Sequence, residues 1–273
     1  MRSLLLFVYG LLMCGFSLHG RLKGSRLVGR GFIEGYRLID LGEYPGAVMG
    51  DGRVWGEVYE ISESLLEELD RVEDVEGGLY RRVAVDVYFD EEKRFRESAQ
   101  FYEYTGKQVE SARAVEDGDY AGGKGCLNYF AYGSNMASRR LAERNVKPAR
   151  RIPAILEGYE LVFNKRCGSG ICANIEPNTG SRVYGALYTI TQRELKTLDR
   201  YEGYPENYTR RIVRVHGRDG QQYYADVYVA TELYKVEGQR PRDDYLSYIV
   251  DGLFELGWDE EARRVAEKYG YRL

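Results

Sequence analysis

The feature that most constrains the fold of this chain is that it contains itself twice. "LLFVYGLL" near the start returns as "NYFAYGSN" in the middle, so that Tyr9-Gly10 answers to Tyr132-Gly133. "RVWGEVYEISESLLEELDRVED" returns as "RVYGALYTITQRELKTLDRYEG", which aligns Glu73 with Glu202. "YRRVAVDV" then pairs with "YTRRIVRV", and "AQFYEYT" with "ADVYVAT". Four blocks in one order, with an offset that drifts by only a few residues, mean duplication of a whole domain. The Gly-rich stretch "VEDGDYAGGKGC", residues 115–126, reads as the linker between copies. The expected domains are therefore residues 1–121 and 125–273, both of ordinary size.

The duplication also decides how the first twenty residues are read. Arg2 followed by the apolar run Leu4–Phe16 imitates a secretory signal and is too short for a membrane helix, which needs roughly 20 residues. Yet "LLLFVYG" occupies the place of "LNYFAYG", which lies deep in the chain, so the segment is expected to be a strand of the first domain and the protein to be cytoplasmic. A net charge of −4 gives no basic face for a nucleic-acid partner, and no later segment approaches membrane-spanning length. The four cysteines, Cys14, Cys126, Cys167 and Cys172, form no paired C-x-x-C motif, which argues against zinc. They are read as reduced thiols, with a bridge across the short Cys167–Cys172 turn left open.

Each copy begins with an apolar strand ending at Tyr-Gly, where a glycine allows a sharp turn with amide groups facing a cavity. "VWGEVYEI" alternates as a strand, with Val54, Gly56 and Val58 on one side and Trp55, Glu57 and Tyr59 on the other. A short helix follows, capped by Ser62 or by a Ser64–Glu67 box in copy one and by a Thr191–Glu194 box in copy two. Leu66 and Leu69, like Leu195 and Leu198, give it one buried face. Strands outnumber helices and are joined by short turns, which predicts an α+β fold: two tandem domains, each a mixed barrel-like β-sheet with a few helices. Tyr245, Ile249, Leu253, Leu256 and Trp258 fit one or two amphipathic helices in a C-terminal extension of copy two, expected to serve packing.

The usual catalytic machinery is missing. Two histidines in unmatched places argue against a duplicated Ser-His-Asp or Cys-His site, and neither a phosphate loop nor a dinucleotide fingerprint occurs. What recurs is the Tyr-Gly turn and one glutamate, Glu73 or Glu202, just past a buried helix face. One carboxyl opposite a ring of backbone donors suits proton transfer with stabilisation of a developing oxyanion. Asp70 and Asp199 also recur, and a helix-end role accounts for them.

At these residues the chain resembles a known family. "YFAYGSNM" with "GALYTITQRELKTLDRYEGYPENYTRRIVRV" is similar to the γ-glutamylcyclotransferase superfamily, and "RPRDDYLSYIVDGLFELGWDEE" resembles the helical tail of its γ-glutamylcyclotransferase branch. Copy one resembles the γ-glutamylamine cyclotransferase branch. The resemblance implies a small-molecule γ-glutamyl substrate, release of an amino acid or amine, and formation of 5-oxoproline. It places Tyr132, Gly133, Ser134 and Asn135 in the loop that holds the glutamyl moiety, with Glu202 as general acid/base. By the same correspondence Tyr9, Gly10, Leu11, Leu12 and Glu73 form the site of copy one. There the usual Tyr-Gly-Thr-Leu is replaced by Tyr9-Gly10-Leu11-Leu12, so motif completeness favours copy two. The substrate brings its own nucleophile, the α-amine, so the reaction asks for no metal, cofactor or covalent intermediate. The competing reading is a non-catalytic binding or scaffold protein that keeps the fold and pocket. The identity of the leaving amine and the oligomeric state stay open.

Overall fold

A computed structural model of the chain describes residues 3–273 apart from 108, 110, 111 and 169. Arg2, the basic start of the signal-like segment, lies outside the described residues. The chain divides into two compact units after Leu127.

The first unit contains β1 (Ser3–Val8), β2 (Arg26–Asp40), β3 (Pro45–Ser62), α1 (Glu63–Val72), β4 (Tyr80–Tyr88), β5 (Arg96–Tyr104) and the short β6 (Arg113–Ala114). Its sheet order is β3-β1-β5-β4-β2-β6, and β2 also pairs with β3, which brings the five longer strands into a ring. From Cys126 on, the chain forms β7 (Cys126–Ala131), α2 (Ser138–Glu143), β8 (Arg150–Cys167), β9 (Gly170–Thr191), α3 (Gln192–Glu202), β10 (Tyr208–Gly217), β11 (Gln222–Ala230), α4 (Asp243–Glu255) and α5 (Asp259–Lys268). Here β10-β11-β7-β9-β8 close a barrel. The two rings share one strand order, so each ring strand of the first has its counterpart in the second. Both sheets are mixed: β1 runs parallel to β5 and β7 to β11, whereas β1–β3, β2–β3, β4–β5, β8–β9, β8–β10 and β10–β11 are antiparallel.

Two pairs of glycines explain why the repeat is strict where it is. Gly56 and Gly185 sit where a Cβ would collide with the carbonyl oxygen of Val8 or Ala131, so β3 and β9 can approach the end of the first strand only without a side chain. Gly35 and Gly158 both take φ +79 at a register shift in the long β2–β3 and β8–β9 hairpins. The extra residue bends each hairpin around its barrel, and the left-handed φ suits glycine.

The apolar start is a ring strand: β1 pairs with both β3 and β5, and Leu6, Phe7 and Val8 are buried. Helix α1 is capped by Ser62, whose Oγ accepts from the Leu65 amide at 3.2 Å, and not by the Ser64–Glu67 box. Ser64 instead spends its hydroxyl on Ser62 Oγ at 3.0 Å. The Thr191–Glu194 box of α3 is present, and Leu66, Leu69, Leu195 and Leu198 are buried.

Two expectations are corrected. Residues 115–126 are no free tether: the Gly118 carbonyl accepts from the Trp55 amide at 2.8 Å, Asp119 pairs with Arg30 at 2.6 Å, and Ala121 is buried. Glycine content marked the turns, but the residues between them carry side-chain and backbone contacts to β2 and β3. The cysteines are not reduced thiols either: Cys14 is bonded to Cys126 and Cys167 to Cys172. The fold brings their Cα atoms to 5.5 and 5.9 Å, inside the span a disulfide bridges. Among the described residues no helix is long and apolar enough to cross a membrane.

Candidate active site

In the first unit, β1 ends in the Tyr9–Leu12 turn, which is closed by the Met13 amide donating to the Gly10 carbonyl at 2.9 Å. A frame of tyrosines fixes the surroundings. Tyr9 Oη donates to the Tyr102 carbonyl at 2.8 Å and accepts from the Ala47 amide at 3.2 Å. Tyr80 Oη donates to the Pro45 carbonyl at 2.8 Å, and Tyr102 Oη to Asp70 at 2.9 Å. Glu73 caps the C-terminus of α1, its amide bonded to the Leu69 carbonyl at 2.9 Å. The turn, Tyr44, Tyr80 and Glu73 enclose a cavity of about 160 Å³.

Among the described residues no side-chain hydrogen bond or ion pair engages the Glu73 carboxyl. Burial alone pushes its pKa up to about 7. The charge is felt by its neighbours: Tyr9 and Tyr80 are raised first by burial, with Glu73 adding to the shift. The sequence offers the reason. At two positions of the turn lining this cavity, Leu11 and Leu12, the other copy has the polar Ser134 and Asn135.

This carboxyl holds its proton more tightly folded than unfolded. The stability it contributes is whole below about pH 4.5 and is lost as pH rises through about 7, where the folded protein must carry an unpaired, half-buried charge. A shift of this size corresponds to at most about 3 kcal/mol. Glu73→Gln is expected to match the wild type at pH 4 and to exceed it at pH 8 by up to that amount, read from urea unfolding of the first unit.

The second unit repeats the frame. Tyr132 Oη donates to the Tyr228 carbonyl at 2.7 Å, Tyr208 Oη to the Ala173 carbonyl at 2.7 Å, and Tyr228 Oη to Asp199 at 2.8 Å. Asp70 and Asp199 thus orient a tyrosine beside the pocket as well as ending a helix. Glu202, the last residue of α3, lies opposite the Tyr132–Asn135 turn, but it is not alone. Its Oε1 accepts from Arg144 at 2.5 Å and from Asn135 Nδ2 at 3.1 Å. Arg144 also donates to Asn135 Oδ1 at 2.8 Å, and its guanidinium lies 4.9 Å from the centre of the Tyr201 ring. Tyr245 of α4 reaches in, its hydroxyl accepting from the Ala173 amide at 3.0 Å. What remains is a cavity of about 30 Å³, room for a water or two. Behind Tyr208 the ammonium of Lys165 is buried 4.8 Å from that ring, and burial pushes its pKa down.

All the residues read from the sequence therefore gather at two places: Tyr9, Gly10, Leu11, Leu12 and Glu73 around one cavity, and Tyr132, Gly133, Ser134, Asn135 and Glu202 around the other. Sequence reasoning missed Tyr80, Tyr102, Tyr208 and Tyr228, although they recur in register in "YRRVAVDV"/"YTRRIVRV" and "AQFYEYT"/"ADVYVAT". It also missed Arg144, Lys165 and Tyr245. Arg144 caps the C-terminus of α2 and Tyr245 stands on α4, helices that the first copy lacks, so the repeat gave no means of finding them. The tail helix, expected only to pack, supplies a wall of the second pocket.

The pattern of the family described as gamma-glutamyl cyclotransferase, AIG2-like, matches residues 6–122 and again 129–248. The gamma-glutamylcyclotransferase family protein YtfP of Escherichia coli is 36% identical over 115 residues, which cover 42% of this chain and 94% of that protein. The human gamma-glutamylcyclotransferase is 29% identical over 136 residues, 47% of this chain and 71% of the relative. Among solved structures, YkqA of Bacillus subtilis aligns over 98% of both chains with 24% identity and a TM-score of 0.49. With its pattern matched once in each barrel, this chain belongs to the gamma-glutamyl cyclotransferase, AIG2-like family.

Proposed function

We propose that the chain is a γ-glutamyl cyclotransferase that forms 5-oxoproline, and that the first pocket carries the turnover. The observation behind this is an unpaired carboxyl with a pKa of about 7, facing a turn across a cavity of about 160 Å³. The Leu11 and Leu12 amides of that turn donate to no backbone acceptor among the described residues, which leaves them for a substrate carboxylate.

The α-amine of the substrate arrives protonated. Glu73 takes that proton, and the freed nitrogen attacks the δ-carbonyl carbon four bonds away. The new C–N bond closes the five-membered ring. Collapse of the tetrahedral centre breaks the bond to the leaving nitrogen, which takes the proton back from Glu73; the ring nitrogen then sheds its second proton to the same carboxyl, which passes it to the departing amine, so that an ammonium leaves and Glu73 returns to its carboxylate. One carboxyl serves both steps, and nothing is oxidised or reduced. Raising the carboxyl from its ordinary value to about 7 removes about 3 kcal/mol from the mismatch with an amine. Ring closure within one bound molecule needs a held geometry more than a strong base.

A second reading puts turnover in the second pocket. It is favoured by Ser134 and Asn135, which supply polar side chains that Leu11 and Leu12 do not. There Arg144 and Tyr245 must withdraw before a glutamyl group can enter.

Incubation with a panel of γ-glutamyl amino acids, amines and the ε-lysine conjugate, followed by chromatography for 5-oxoproline, tests the function. Product from at least one member is expected. An inert protein across the panel leaves the binding-protein reading.

A further inference from the structure

Apart from the pocket glutamates, one buried carboxyl stands out. Glu57, in the middle of β3, is wholly inaccessible to solvent. Its Oε2 accepts from the Cys14 amide at 2.9 Å and from Tyr59 Oη at 2.7 Å, and its Oε1 from the Cys126 amide at 2.6 Å. Burial raises its pKa, and these three donors act against that shift. The barrel itself does not require a carboxyl here, because the matching residue of the second copy is the buried Ala186.

What differs between the copies is how the turn after the first strand is held. In the second unit Tyr188 reaches the turn directly, donating to the carbonyls of Asn135 and Met136 at 3.0 and 2.9 Å. Its counterpart Tyr59 ends instead on Glu57, and Glu57 makes the connection to the turn through Cys14. Cys14 follows Met13, the residue whose amide closes the turn on Gly10. Leu11, Leu12 and Leu18 of this loop line the first cavity, and Leu18 is bonded back to the Leu11 carbonyl at 3.0 Å.

We propose that Glu57 is a positioning residue for the first pocket: relaying from Tyr59 to the Cys14 amide, it holds the Gly10–Cys14 turn so that its free amides stay opposite Glu73. The inference rests on the function proposed above for that pocket. Glu57 touches neither the cavity nor a reacting atom, so its effect must pass through the turn.

The test uses the full chain carrying Glu202→Gln, so that only the first pocket is read, with Glu57→Gln added. The carboxamide keeps the packing but has one acceptor oxygen for two amides on opposite sides. KM for the best γ-glutamyl substrate is expected to rise about tenfold with kcat within about twofold, since the lost contact positions a binding group. Hydrogen exchange of the 9–14 segment is expected to quicken by about the same factor, while β2 exchanges as before. Glu57→Ala, which installs the residue found at 186, is expected to do the same more strongly. Unchanged exchange at 9–14 in Glu57→Gln overturns the proposal. So does quickened exchange with an unchanged KM, or a fall in kcat alone, which marks a merely structural loss. If the wild type makes no 5-oxoproline, the function falls, and exchange at 9–14 alone decides whether Glu57 holds the turn.

Discussion

Glu73→Gln is expected to lower 5-oxoproline formation by at least about 10²-fold, while Glu202→Gln stays within about threefold of the wild type. The carboxamide is nearly isosteric but cannot take or return a proton, and general acid–base groups contribute about 10²–10⁴-fold. The two copies should part ways because their glutamates have different company. Glu73 has room beside it and, among the described residues, no cation paired with it, whereas Glu202 is engaged by Arg144 and Asn135 in a pocket too small for a glutamyl group. Misfolding would not explain the loss, because the same variant is expected to be more stable above neutral pH. A variant that gains stability as it loses activity is the pattern of a site built from a destabilised group. The opposite result, a dead Glu202→Gln and an active Glu73→Gln, would move the chemistry to the second pocket and show that Arg144 and Tyr245 open during turnover.

The second large effect concerns stability. Replacing Cys14 and Cys126 by Ser is expected to lower the unfolding free energy of the first unit by about 5 kcal/mol. The bond spans a sequence separation of 112 and removes that much loop freedom from the unfolded chain. The Cys167–Cys172 bond spans a separation of 5, so its removal should cost only about 2 kcal/mol, and in the second unit. The tryptophans make the two readable apart. Trp55 lies in β3 and Trp258 between α4 and α5, so a Trp258→Phe background leaves the first unit as the only tryptophan emitter during urea unfolding. Equal losses for both double substitutions would contradict the assignment.

The duplicated architecture was legible because the repeat carries its own control. "LLLFVYG" looks like an export segment alone, and only its twin at "LNYFAYG" identifies it as a strand. Glu73 and Glu202 were found the same way, by recurrence in register with a turn. That method has a blind side. It sees what the copies share and misses what each gained alone, which is where their chemistry diverges. Arg144, Tyr245 and Glu57 have no counterpart of their own kind, and they decide which carboxyl is paired, which cavity is open and how each turn is held. The linker was misread because glycines at 118, 122 and 123 all take positive φ in turns, a need that composition cannot tell from flexibility. The cysteines were misread because spacing along the chain does not reveal that Cys14 and Cys126 meet once the ring closes.

A covalent tie between residue 14 and residue 126 has a consequence for damage. A protease that cuts at one point between them, for instance at the exposed Glu76–Gly77–Gly78 turn, yields two peptides that stay fastened together. Such a nicked chain would migrate at full length on a denaturing gel without reductant and as two bands with it. The first barrel would thus survive a wound that would cost the second, whose only bond spans a hairpin tip, part of its sequence.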